Sequence, residues 1–232
     1  MINSLHIHSL VASLFFPGSP HLCRKGCSVD ENFLSNYSGC VIVPVGTYKH
    51  GVCASVSKEN HTDNSCFVCV LMSHGEEGTI LGSDERWMPV KTLTSLMTSD
   101  LCPSLRDKPK LFFLQACRGL EYDPGVEADS VEAPGEFSGI SDVPEADFLC
   151  CYSTVEGYYS WRNPEKGSVF IHELCEMLKD CHLEIIQILT RVNHRVANHF
   201  QSYTTDPDTH RKRQMPCFVV FLLSLSPSLS WS

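Results

Sequence analysis

Short apolar runs alternate along the chain with stretches in which apolar residues recur every three or four positions. The apolar runs predict strands at Cys40–Val45, Ser65–Met72, Lys110–Leu114, Ala146–Tyr152 and Met215–Leu223. Pro44 cannot donate to a strand ladder, which makes the first of these an edge strand. The longer period predicts helices at Ser168–Lys179 and Glu184–Phe200 and, more weakly, around Val90–Met97. The alternation favours an α/β fold with a mostly parallel central sheet and helices on both faces.

The stretch from Glu121 to Val143 differs from the rest, because it is acidic, contains Pro and Gly and has few large apolar side chains. Such a composition is typical of an exposed linker. Apart from the first strand, residues 1–55 show no regular pattern. We therefore divide the chain into an irregular N-terminal segment (1–55), a first folded part (56–129), a linker (130–143), a second folded part (144–223) and a divergent tail (224–232).

The composition argues against some classes of function but does not identify one. The net charge of −9 argues against general nucleic-acid binding and against attraction to anionic membranes, and the apolar run Cys217–Leu225 is too short to cross a bilayer. Cysteines such as Cys66 and Cys69 lie inside apolar strands, where a free thiol packs as a small hydrophobe. We therefore expect a reduced, cytoplasmic protein. Because the sequence has no zinc-ligand spacing, phosphate loop or dinucleotide fingerprint, we predict no metal and no other cofactor.

Two of the predicted strands end in residues that can carry out nucleophilic chemistry. His74 follows the strand Ser65–Met72, and Cys117 follows the strand Lys110–Leu114. The separation between them fits one strand–helix–strand crossover, so both strand ends meet at the same edge of the sheet. A cysteine that attacks a carbonyl carbon and an imidazole that moves the proton form a nucleophile–base pair. The backbone N–H groups of Gly75 and Cys117 are the predicted donors to the resulting oxyanion.

Arg162 directly follows a group of aromatic residues that includes Tyr158, Tyr159 and Trp161. In partly desolvated surroundings a guanidinium binds a planar carboxylate through two parallel hydrogen bonds. A protease with such an arginine in its specificity pocket would select acidic side chains at the bond that it cuts. The alternative interpretation is that the aromatic residues are core packing and that Arg162 makes a surface ion pair.

The motifs Ser73-His74-Gly75, Gln115-Ala116-Cys117-Arg118-Gly119 and Tyr159-Ser160-Trp161-Arg162-Asn163, in this order, resemble those of the caspases, most nearly the executioner group (caspase three and seven). The resemblance implies the caspase–hemoglobinase fold, with His74 and Cys117 as the catalytic dyad and the amides of Gly75 and Cys117 as the oxyanion hole. It also implies a set of substrate-binding residues, which are Gln115, Tyr159, Ser160, Trp161, Arg162 and Asn163. In the family, the residues matching Arg162 and Gln115 bind the substrate aspartate, and those matching Tyr159 and Trp161 wall the next pocket.

The resemblance further implies a zymogen that is activated by cutting at an internal aspartate. Asp129 is the first candidate and Asp142 the weaker second, because accessible acidic linkers are natural cleavage points. Residues 56–129 would then form the large subunit and residues 144–223 the small one. The implied partners are proteins cut after Asp, a second large/small pair in a homodimer, inhibitor-of-apoptosis proteins and initiator caspases, and the implied role is the execution of apoptosis.

The chain departs from this family at its N-terminus, where residues 1–55 do not match the strand–helix–strand unit of the caspases. We therefore expect the sheet to lack that unit. One alternative is a catalytically silent caspase-like isoform or fragment that acts by pairing with a full-length caspase, although the presence of every chemical residue argues against it. A second alternative is a legumain-like protease that cuts after Asn, against which Arg162 and Gln115 argue.

Overall fold

The structure is a computed structural model that describes residues 40–45, 51–125, 146–163, 167–178 and 183–221. Along the chain, its elements are β1 Cys40–Val45, α1 Gly51–Val56, β2 Cys66–Met72, β3 Gly75–Glu76, β4 Thr79–Leu81, β5 Trp87–Pro89, α2 Val90–Ser95, β6 Lys110–Gln115, β7 Phe148–Tyr152, β8 Arg162–Asn163, β9 Gly167–Ser168, α3 Val169–Met177, α4 Ile185–His199 and β10 Cys217–Phe221.

Within the described residues, the main sheet has the strand order β1-β2-β6-β7-β10. The first four strands are parallel to one another, and β10 runs antiparallel to β7. The prediction of a mostly parallel sheet is therefore confirmed. Among the described strands, β1 lies at the edge, as the proline within it predicted, because Pro lacks the N–H that an inner strand would need.

The core lies on both faces of this sheet, which is why its inner strands are almost continuously apolar. Every residue of β2, β6 and β7 is buried. On one face, Phe113 packs in a cluster with Leu174 of α3 and Val192 of α4. On the other face, Phe112 packs in a cluster with Leu93 of α2 and the α1 residue Cys53. Helices therefore cover both faces, as predicted.

Several short elements were not predicted from the sequence. Residues 51–55 were treated as part of an irregular segment, yet together with Val56 they form α1, because Cys53 and Val56 pack onto the sheet. A small antiparallel sheet of β3, β4 and β5 follows β2, and β8 pairs with β9 in a separate hairpin. Strands of two or three residues are too short to show an alternation of apolar and polar residues. The boundaries at 55, 129 and 143 remain predictions.

The stacking of aromatic rings across the sheet provides a test of this core. Phe112 lies on the central strand, fully buried, with its ring centroid 5.7 Å from that of Phe67 and 6.0 Å from that of Phe148. We expect Phe112→Ala to lower the free energy of unfolding by about 3–5 kcal/mol, because it removes a buried ring and leaves a cavity. Urea denaturation followed by circular dichroism measures this.

The matched control is Tyr203→Ala, which truncates an aromatic side chain that is 93% exposed. It should change the free energy of unfolding by less than about 0.5 kcal/mol. An equal loss in the two variants would contradict the arrangement of the core around β6.

Candidate active site

The parallel register of β2 and β6 brings the two candidate chemical groups to one edge of the sheet. Met72 lies opposite Gln115, and the backbone N–H of Ser73 donates to the carbonyl oxygen of Gln115 at 3.1 Å. His74 and Cys117 each stand two residues beyond the pair formed by Met72 and Gln115. Because the two strands are parallel and in register, both residues leave the sheet at the same edge.

Gly75 allows the two loop tips to touch. A Cβ atom at this position would lie 2.5 Å from the carbonyl oxygen of Cys117 and 2.7 Å from the Cβ of Ala116. Only a residue without a side chain fits such an approach. On its other side the loop is held by the small sheet, where the N–H of Leu81 donates to the carbonyl oxygen of His74 at 2.9 Å. The backbones of Gly75 and Cys117, which carry the predicted oxyanion donors, therefore lie side by side.

The thiol of Cys117 is half-buried against the segment that leads into β8. Its Sγ accepts a hydrogen bond from the backbone N–H of Ser160 at 3.4 Å and donates to the carbonyl oxygen of Ser160 at 3.8 Å. Burial raises the pKa of Cys117 above its ordinary value, while the Ser160 backbone and the positive charge of Arg162 oppose that rise. Among the described residues, Ser160 is the hydrogen-bond partner of this thiol, and the exposed His74 is not. The structure thus brings the dyad to one edge without joining it.

Arg162 stands two residues after Ser160, whose backbone binds this thiol, and it is open to solvent. It is exposed on β8, where it pairs with Ser168 of β9, and the neighbouring Asn163 is exposed as well. The charge of Arg162 is close enough to Cys117 to act on the pKa of the thiol. An exposed guanidinium beside a nucleophile can bind a carboxylate that arrives from solvent.

An open pocket would leave the side chain of Gln115 exposed, whereas here this side chain is buried. Gln115 is 4% exposed: its Nε2 donates to Ser160 Oγ at 2.9 Å, and its Oε1 accepts from Ser168 Oγ. Ser160 Oγ in turn donates to Ser153 Oγ at 2.7 Å, and Ser153 Oγ donates to the carbonyl oxygen of Ala116 at 3.2 Å. In this structure the buried amide therefore connects β6 to the hairpin that carries Arg162. The role of Gln115 in substrate binding remains a prediction.

Aromatic rings form a cluster next to the thiol. The ring centroids of Tyr159 and Trp161 are 5.2 Å apart, and Tyr122 contacts both of them. Burial raises the pKa of Tyr159, and the neighbouring Cys117 and Tyr122 act in the same direction. Trp161 also contacts Phe200 at the end of α4, with centroids 6.4 Å apart.

The first residues of the predicted linker stretch do not behave as a linker. The N–H of Tyr159 donates to the carbonyl oxygen of Glu121 at 2.8 Å, and the N–H of Arg213 donates to the carbonyl oxygen of Asp123 at 2.8 Å. Glu121–Gly125 is therefore tied to the folded core on two sides, because its backbone finds partners that are distant in sequence. Tyr122, which lies between these two bonds, is a site residue that the sequence analysis missed.

Arg118 and Gly119, directly after Cys117, were also missed. The guanidinium of Arg118 is buried 4.2 Å from the centroid of the Tyr152 ring, and its Nη2 lies 3.3 Å from Oε2 of Glu156. At Gly119 a Cβ atom would lie 2.1 Å from the carbonyl oxygen of Gly157. Both residues hold the Cys117 loop against the next segment, and their place in the motif around the cysteine is the signal that could have found them.

Asp129 and Asp142, the predicted processing sites, lie outside the described residues. Within the part of the chain that the structure describes, no three or more His, Cys, Asp or Glu side chains gather where a metal ion could be held. None of the helices described there has the length and apolar character needed to cross a bilayer.

A thiol that leaves a parallel sheet beside a histidine loop is the arrangement expected of the class of α/β cysteine endopeptidases. Residues 49–224 match the caspase domain family. The chain is 46% identical over 213 residues to caspase-7 of Gallus gallus (86% of this chain, 69% of that protein). It is 52% identical over 171 residues to caspase-3 of Oryctolagus cuniculus (72% and 61%) and 50% identical over 210 residues to caspase-3 of Bos taurus (86% and 75%). The chain belongs to the caspase family, and its matches span from 61% to 75% of the length of these curated relatives.

The contact at Gly75 predicts that an added methyl group separates the two loop tips. We expect Gly75→Ala to lower the rate constant of Cys117-dependent turnover by about 100-fold, because a shift of about 1 Å at reacting groups has effects of that size. Gly78→Ala is the matched control, since Gly78 has φ +66° but no atom within 4 Å of an added Cβ. It should cost about 1–2 kcal/mol of backbone strain and leave turnover unchanged. Steady-state kinetics with thermal unfolding separates the two effects, and equal turnover in both variants would contradict the contact.

The surroundings of the Cys117 thiol predict a pH profile for its alkylation. Because burial raises the pKa of this thiol, the rate with iodoacetamide should reach half its maximum at a higher pH in the folded chain than in the chain unfolded in urea. Arg162→Ala should move the folded midpoint further upwards, because the thiolate loses a nearby positive charge. Mass spectrometry of the peptide that contains Cys117 measures both profiles. A folded midpoint at or below that of the unfolded chain would contradict this account.

Proposed function

We propose that this chain is a cysteine endopeptidase that cuts proteins after aspartate. The observation that carries the proposal is the position of Arg162, which is exposed on β8 two residues after Ser160, whose backbone binds the Cys117 thiol. A substrate carboxylate bound to this guanidinium would hold the backbone carbonyl of the same residue near the thiol.

The reaction follows from the groups at the sheet edge. The sulfur of Cys117 attacks the carbonyl carbon, and the electron pair of the C=O bond moves to the oxygen, where the N–H groups of Gly75 and Cys117 stabilise it. His74 takes the thiol proton and gives it to the amine as the C–N bond breaks. A water molecule, deprotonated by His74, then attacks the thioester, which releases the product acid and restores the thiol.

The remaining substrate contacts come from the hairpin and the aromatic cluster. Tyr159 and Trp161 would face the residue that precedes the aspartate, and the exposed Asn163 would contact the peptide further out. Ser160 binds the thiol through its backbone and Gln115 through its hydroxyl. We assign Gln115 and Ser160 to the specificity pocket together with Arg162.

Activation by cutting the chain is the second part of the proposal. Asp129 is the favoured processing site and Asp142 the second, because both lie in an acidic stretch between the two parts that carry Cys117 and Arg162. The state of the thiol in the uncut chain supports this, since burial raises the pKa of Cys117 and favours the protonated, less nucleophilic form. Movement of the hairpin after cutting would also free the buried amide of Gln115.

The assembly and biological role are proposed from the family together with one feature of the sheet. Among the described strands, β10 lies at an edge of the main sheet, where Val220 is 39% exposed, and an edge strand can pair with a second copy. We infer a cytoplasmic homodimer of large/small pairs that acts in the execution of apoptosis, with initiator caspases and inhibitor-of-apoptosis proteins as partners. Because His74, Cys117 and Arg162 are all present at one edge, we favour the enzyme over the silent partner.

Turnover of fluorogenic peptides tests the specificity. Cys117→Ala should abolish hydrolysis of a peptide ending in Asp. Arg162→Ala should lower kcat/KM by about 100-fold, because charge-assisted hydrogen bonds worth about 3 kcal/mol are lost. Arg106→Ala, at the opposite end of β6, removes the same charge and should leave kcat/KM unchanged. Hydrolysis after Asn but not after Asp, or full Asp cleavage by Arg162→Ala, would overturn the proposal.

A further inference from the structure

We propose that Tyr122 restricts the residue preceding the substrate aspartate to a small side chain, because the ring of Tyr122 fills the aromatic recess formed by Tyr159 and Trp161. The inference deepens the proposed function, since it concerns the specificity of the same site. Tyr122 would thus be a specificity-determining residue that stands only a few positions after the nucleophile.

The geometry of the three rings shows that the recess is filled. The centroid of Tyr122 lies 5.4 Å from that of Tyr159 and 5.6 Å from that of Trp161, and the latter two are 5.2 Å apart. These are distances of rings in direct contact. A side chain inserted between two of these rings would make carbon contacts of about 3.5–4.0 Å with each ring. The facing atoms of the two rings would therefore have to be about 7–8 Å apart. A substrate side chain therefore cannot share the ring faces that Tyr122 covers.

Backbone hydrogen bonds hold Tyr122 in this position from both sides. Before it, the N–H of Glu121 donates to the carbonyl oxygen of Gly157 at 3.1 Å, and the carbonyl oxygen of Glu121 accepts from Tyr159 at 2.8 Å. After it, the carbonyl oxygen of Asp123 accepts from the N–H of Arg213 at 2.8 Å. Because these bonds connect Tyr122 directly to the segment that carries Tyr159, the ring and the recess keep their relative position.

The aromatic cluster also contains a buried polar atom. The indole N–H of Trp161 is buried and, among the described residues, has no hydrogen-bond partner. An unpaired buried donor is costly, and access to water would satisfy it. Tyr122 covers one side of this indole, and Phe200 packs against it with centroids 6.4 Å apart. Removing the Tyr122 ring would therefore both open space for an apolar side chain and admit water to the indole.

The test compares peptides with Ala, Val, Leu or Phe directly before the aspartate. In Tyr122→Ala, the ratio of kcat/KM for the Leu peptide to that for the Ala peptide should rise at least about tenfold over wild type, because each added methylene in an open apolar pocket contributes about tenfold or more. Tyr122→Phe keeps the ring, and Tyr203→Ala removes an exposed tyrosine elsewhere, so both should keep the wild-type ratio. An unchanged or lower ratio in Tyr122→Ala would overturn the proposal, since Tyr122 would then not obstruct the pocket.

A second measurement does not require turnover. Tyr122→Ala should shift tryptophan emission to longer wavelength, and the shift should vanish when the comparison is repeated in the Trp161→Phe background. Binding of the same peptides to Cys117→Ala, with and without Tyr122→Ala, should show the same tenfold change in the Leu-to-Ala ratio. If nothing is hydrolysed but the ratio changes, the proposed function fails and the role of Tyr122 holds. No emission shift, or no peptide bound by either variant, would overturn the role of Tyr122.

Discussion

Every feature of the site depends on the parallel register of β2 and β6. Alternate residues of β2 belong to the two opposite cores, with Val68 and Val70 on one face and Phe67 and Cys69 on the other. A slip of one residue would exchange these faces, so the burial of both cores fixes the register. That register determines which backbone atoms meet beyond the sheet. The contact of the two loop tips is thus a consequence of packing that lies well away from the chemistry.

Beyond the sheet, further backbone hydrogen bonds connect the Cys117 loop to residues 157 and 158. The N–H of Arg118 donates to the carbonyl oxygen of Tyr158 at 3.0 Å, and the N–H of Gly157 donates to the carbonyl oxygen of Arg118 at 2.9 Å. The buried guanidinium of Arg118 is compensated by Glu156 and by the face of the Tyr152 ring, which limits the cost of its desolvation. The Cys117 loop, the β8–β9 hairpin and the aromatic cluster therefore form one connected unit, so a change in any of them is expected to reach the others.

The sequence predicts those features of this arrangement that depend on neighbouring residues. It does not predict those that depend on contacts between residues distant in sequence. The apolar runs of β2, β6 and β7 and the residues around His74 and Cys117 could be predicted, because each is a continuous local pattern. The burial of Gln115 could not, since its partners Ser160 and Ser168 are 45 and 53 residues away. Tyr122 was missed for the same reason. Its neighbours have the composition of a linker, and only pairing with a distant segment makes them part of the site.

The charges around the thiol indicate how the reaction must be arranged. In the free site, the positive charge of Arg162 favours the thiolate of Cys117, while burial opposes it. In the proposed reaction, a substrate carboxylate bound to Arg162 would neutralise that positive charge when the thiolate is needed. The support that Arg162 gives to the thiolate would then be lost on binding, so a general base would be needed to take the thiol proton. His74 is the candidate base at this edge, and its exposed imidazole would have to reach the thiol, which Ser160 engages in this structure.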